Sequence, residues 1–92
     1  MSNNWAEITD VQKADGGPLP EGDSHREYIG LRGQFQTNSM DPDRRGRLCF
    51  FFEHAADGQK YEIRSSKGKI AEHSSTLLVY QTAHARYFLT LL

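Results

Sequence analysis

"RGRLCFFFEHAADGQKYEIRSSKGK" occupies residues 45–69, and the way its two arms pair decides the fold. Two strand-like runs flank Asp57-Gly58. Asp-Gly between such runs is a strong hairpin signal, because both residues tolerate positive φ. A two-residue turn would set His54 against Tyr61, Phe52 against Ile63 and Glu53 against Glu62. A four-residue loop over Ala55–Gly58 sets Phe52 against Tyr61, Phe50 against Ile63 and Glu53 against Lys60. The second register is expected, since it exchanges a like-charge contact for an opposite-charge one. Either register gathers Leu48, Phe50, Phe52, Tyr61 and Ile63 on one face and Cys49, Phe51, Lys60, Glu62 and Arg64 on the other. A three-residue loop would reverse that assignment. The polar "SSKGK" (65–69) reads as a turn.

Outward from the hairpin, "EYIGLRGQFQT" (27–37) alternates with period two. Ile29, Leu31, Gly33 and Phe35 share one face, and Tyr28, Arg32, Gln34 and Gln36 the other, which is the pattern of a half-buried strand. Gly33 leaves a gap on the apolar face, expected to hold a bulge or a bulky neighbour such as Trp5 or Phe50. "NWAEITDVQK" (4–13) is open to two readings. Asn4 and Glu7 fit a capping box with Trp5, Ile8 and Val11 on one helical face, but Trp, Ile, Thr and Val favour a strand, which is preferred. Residues 73–92 are open in the same way. A helical stripe leaves Val79, Tyr80, Tyr87 and Leu91 off its face, whereas two strands near 76–82 and 86–91, joined by "AHA", use all four. Residues 14–26 and 38–46 are Gly-, Pro- and Asp-rich loops. The expected fold is mainly β: a single domain over residues 1–92, with five or six antiparallel strands in a small barrel or rolled sheet and at most one short helix.

Bulk composition agrees. Ninety-two residues, 37% of them hydrophobic and 25% charged, with ten aromatics, make one small globular domain. The lone Cys49 excludes an internal disulfide and a cysteine-rich zinc site. No secretion signal is read in the first twenty residues and no apolar run is long enough to span a bilayer, so a cytoplasmic protein without membrane association is expected. Net charge is −1, but residues 1–43 carry eight acids and three bases while residues 44–92 carry eight bases and four acids. Such asymmetry marks either a polyanion-binding face or two halves that neutralise each other; the second is preferred.

His25, His54, His73 and His84 have no metal-type spacing. "SSKGKI" lacks the glycine and Ser/Thr of a phosphate loop. Cys49 lies mid-strand among phenylalanines, where burial makes a thiol inert. Asp41 and Asp43 flank Pro42 in a turn. Arg45, Gly46 and Phe52 match positions of the central strand of RNA-recognition domains, but Arg47, Leu48 and Cys49 depart from it, and the required helix is missing from the β-rich order.

No catalytic residue, metal or cofactor is therefore expected. The expected function is a non-catalytic protein-interaction module, a small adaptor or inhibitor that occupies a partner's surface. Self-association into a homodimer, through an edge strand or the Phe51 face, belongs to the same expectation. Its candidate contacts are Phe51, Lys60, Arg64, Arg32, Tyr28, Arg44 and Arg45, residue types that recur at interfaces. The alternative is single-stranded nucleic-acid binding by Arg44, Arg45, Arg47, Lys60, Arg64, Lys67 and Lys69, with Phe51 as a stacking platform.

Overall fold

A computed structural model describes residues 4–92; residues 1–3, part of the segment read for a secretion signal, lie outside the described residues. The chain forms six strands, β1 (Trp5–Lys13), β2 (Arg32–Gln36), β3 (Arg47–Glu53), β4 (Lys60–His73), β5 (Leu77–Thr82) and β6 (Ala85–Leu91), with one 3₁₀ turn at Ser24–Tyr28. Each strand runs antiparallel to the next, and β6 closes back on β1. The result is a closed antiparallel barrel, as the sequence predicts. Both ambiguous segments are strands, and closure gives every strand two neighbours, although β4 pairs with β3 and with β5 over different parts of its length.

Alternation fills the barrel. Phe50, Ile8, Leu78, Tyr80 and Leu89 are fully buried, and Phe35, Phe52, Ile63 and Leu91 pack against them from the margins. The hairpin has the four-residue-loop register, with Phe50 opposite Ile63, Phe52 opposite Tyr61 and Glu53 opposite Lys60. Gly58 takes a φ of 67°, and Asp57 Oδ1 accepts the Gln59 N–H at 2.9 Å. In the connection from β5 to β6, the buried Thr82 hydroxyl accepts the N–H groups of His84 and Ala85, at 3.1 and 3.0 Å. Those bonds shorten the expected "AHA" link, so that Ala85 already belongs to β6.

Three local expectations are corrected. Residues 65–69 do not turn: β4 runs through them for 14 residues, pairing with β3 as far as Lys67 and with β5 from Gly68 onward. From Ser66 onward the polar sequence reflects solvent exposure, not a chain reversal. The strand expected over 27–37 begins only at Arg32. Asp23 Oδ1 accepts the His25 N–H at 2.8 Å and starts the 3₁₀ turn, which leaves Ile29 42% exposed. Gly33 is neither a bulge nor a filled gap. A Cβ there would lie 2.1 Å from the Phe51 carbonyl oxygen, so the glycine permits backbone approach between β2 and β3.

Both long loops are held against the barrel. Leu19 is buried, and Arg26 donates to the carbonyls of Leu19 and Pro20 at 3.1 and 3.2 Å. The second loop folds around Asp41, whose carbonyl accepts the N–H groups of Arg44 and Arg45. No helix among the described residues is long and apolar enough to cross a membrane.

Candidate functional site

Strand register builds the outer face of β1–β4 in rows. Trp5 pairs with Gln34, Gln34 with Phe51, and Phe51 with Glu62. Directly opposed residues project to the same side, so these four form one row across four strands. In the next row Glu7 pairs with Arg32 and Glu53 with Lys60. Where these rows reach the barrel rim they enclose an open cleft of about 590 Å³, lined by Trp5, Arg32, Phe51, Tyr61, Lys60 and Glu62 among others.

Phe51 is half-buried in this cleft. The Arg44 guanidinium lies 5.8 Å from its ring centroid, within reach of a cation–π contact. Arg64 bonds Glu62 at 2.8 Å. Arg44 binds the same carboxylate with two bonds, at 2.8 and 2.9 Å. The two guanidiniums hold the Glu62 carboxyl down at about 2, and the Arg44 and Arg64 pKa values rise in return. Glu62 is thus a fixed anion that occupies two of the expected recognition cations.

The opposite wall is aromatic. Tyr61 stacks on Phe52 at 5.7 Å and meets His54 edge-on at 5.9 Å. Its hydroxyl donates to Asp57 Oδ2 at 2.8 Å, which raises the phenol's pKa. Trp5 and Tyr61 are 48% and 43% exposed, a large apolar area for two side chains beside charged neighbours.

Of the seven candidate contacts, Phe51, Lys60 and Arg32 line the cleft, and Arg44 and Arg64 reach it through Glu62. Arg45 and Tyr28 do not join them. Arg45 donates to the Met40 carbonyl at 3.4 Å in the second loop. Tyr28 packs on the core and against His25, at 5.6 Å. Sequence reasoning missed Trp5, Gln34, Phe52, Glu53, Tyr61 and Glu62 as site residues. Trp5 opens β1 and Tyr61 is the second residue of β4, and side chains at strand ends sit at a barrel rim whatever their parity.

The basic set of the nucleic-acid reading is partly committed elsewhere. Arg44 and Arg64 bind Glu62, and Arg47 donates to the Ser65 carbonyl at 2.9 Å. Arg32, a candidate protein contact outside that set, bonds Glu7 at 2.8 Å. The ion pairs bear on the preferred account of the charge asymmetry only in part. Arg44–Asp41 joins the two halves, but Arg32–Glu7, Arg44–Glu62 and Arg64–Glu62 each stay within one. Cys49 is fully buried, and that burial pushes its thiol pKa up. No family model, curated protein or solved structure matches this chain.

Proposed function

We propose that this barrel is a non-catalytic interaction module, a small adaptor or inhibitor whose cleft at Trp5, Phe51 and Tyr61 takes a protein surface. One observation carries this reading: register brings aromatics from β1, β3 and β4 to a single cleft with Arg32, Lys60, Glu53 and Glu62 around them. Exposed aromatics ringed by mixed charge suit a protein partner, with an apolar centre and a polar rim. A polyanion is less well suited, because Glu53 and Glu62 would face its phosphates.

Action by occupancy is supported by the state of the cleft's titratable groups. Glu62 is held ionised by two arginines, far from the neutral range in which a general acid or base works best. Tyr61 is tied to Asp57. The proposed setting is the cytoplasm, where a lone thiol stays reduced.

A photo-crosslinking residue placed at Gln34, at the centre of the row, tests this reading in the cell that makes the protein. Protein adducts are expected from Gln34 and not from a control at Lys69, outside the cleft. Adducts to RNA or DNA would favour the single-strand alternative and overturn the reading. Equal labelling from both positions, or no protein adduct, would overturn it as well.

A further inference from the structure

Resting on the reading that the cleft takes a protein surface, we propose that its occupant is a second copy of this chain, docked face to face about a two-fold axis. The arrangement of charge carries the inference. Glu7 stands opposite Arg32 and Glu53 opposite Lys60, and the pairing of Gly33 with Phe52 sets Arg32 beside Glu53. Across β1 to β4 the row therefore runs acid, base, acid, base.

A row of four alternating charges is its own complement when turned end over end. A two-fold axis lying in the interface, perpendicular to the row, brings Glu7 of each copy onto Lys60 of the other. The same rotation brings Arg32 of each, which also bonds Glu7 of its own chain, onto Glu53 of the other. An isologous interface requires this self-complementarity, since one patch must serve both sides. A polyanion or polycation meets two repulsive positions in the same row. The neighbouring row follows the rotation, so that Gln34 of one copy falls on Phe51 of the other near the centre of the patch.

The open edge of β4 is the competing route to a dimer, and it is guarded. Its pairing with β3 ends at Lys67, and beyond that point it carries Lys69 and a register shift between Ile70 and Glu72. Edge lysines and bulges both discourage strand addition.

The test is sedimentation equilibrium on the full chain with Lys60→Glu and Glu7→Lys, circular dichroism confirming that each variant is folded. The wild type is expected to dimerise. Each variant alone sets two like charges face to face, and its self-association should weaken by about tenfold or more. An equimolar mixture of the two restores both contacts and should form a heterodimer near wild-type affinity. The proposal is overturned by a wild type that stays monomeric up to millimolar concentration, by a dimer indifferent to both substitutions, or by a mixture that does not recover. The Gln34 crosslink separates the two failures. An adduct to a different protein with a monomeric wild type sinks the self-docking but leaves the cleft as a protein site. The absence of any protein adduct sinks the cleft itself.

Discussion

Ser65 Oγ accepts the backbone N–H of Leu48 at 2.9 Å, at the point where β3 shifts register against β4. Both residues are buried, and the Ser65 O–H donates to the Ser66 carbonyl at 2.7 Å. The hydroxyl thus satisfies a donor that the interrupted ladder would leave unpaired. Removing it in Ser65→Ala should cost about 1–3 kcal/mol, the range for an orphaned buried polar group. Urea unfolding measures this loss, and Ser65→Thr, which keeps the oxygen, should recover most of it. Wild-type stability in Ser65→Ala would mean that the register shift is held by other contacts.

Gly68 makes the opposite kind of contribution, through the side chain it lacks. It pairs with Thr82 where β4 leaves β3 for β5, and a Cβ there would stand 2.1 Å from the Gln81 carbonyl oxygen. In an ordinary strand, glycine to alanine gains roughly 0.5–1 kcal/mol. Here the backbone must move, so Gly68→Ala should destabilise by about 2 kcal/mol or more, at the upper end for single substitutions. Gly33→Ala, whose Cβ would meet the Phe51 carbonyl at the same distance, should behave alike. A thermal melt in which either variant gains stability would refute the close approach.

These two sites also explain which parts of the fold were legible in the sequence. The hairpin register could be read because loop chemistry and charge pairing act between near neighbours, as with Glu53 and Lys60. The path of β4 could not. Every residue from Ser66 to Thr76 is exposed, so period two leaves no trace, and "SSKGK" imitates a turn. The start of β2 was hidden because Ile29 alternates correctly by composition, while Asp23 and the positive φ of Gly30 redirect the chain before it. At the site, parity put Phe51 on the outer face with Lys60. The cleft itself arises from pairing between distant segments, Trp5 with Gln34 and then Gln34 with Phe51, and no local pattern encodes that adjacency.

Glu62 gives the barrel an acid-sensitive contact. Its carboxyl falls from an ordinary 4.5 to about 2, because Arg44 and Arg64 bond it. A pKa depressed in the folded state adds stability that is complete above the unfolded value and is lost as pH falls through the folded one. The window is therefore roughly pH 4.5 down to 2. Asp23 and Asp57 are lowered as well and contribute in the same direction, so the comparison must be made within one background. Glu62→Gln should be less stable than wild type at neutral pH, and the gap should narrow steadily as pH drops across that window. Parallel denaturation curves at all pH values would show that the clamp is not coupled to folding.

Phe50 and Phe51 are adjacent in sequence but occupy opposite sides of β3. Phe50 has 0% exposure and lies in the core, whereas Phe51 is half-buried under the Arg44 guanidinium. Phe50→Ala empties a close-packed interior and should cost about 3–5 kcal/mol. Phe51→Ala removes partial burial and one cation–π contact, the latter worth about 0.5–1 kcal/mol at an exposed site, so its loss should be well under half as large. The same variant strips the aromatic ring from the centre of the patch, so it should weaken association far more than it weakens folding. Paired urea titrations and sedimentation runs on the two variants check both statements. If Phe51→Ala unfolds the chain as readily as Phe50→Ala does, the outer face of β3 is a packing surface, and docking on it has no physical basis.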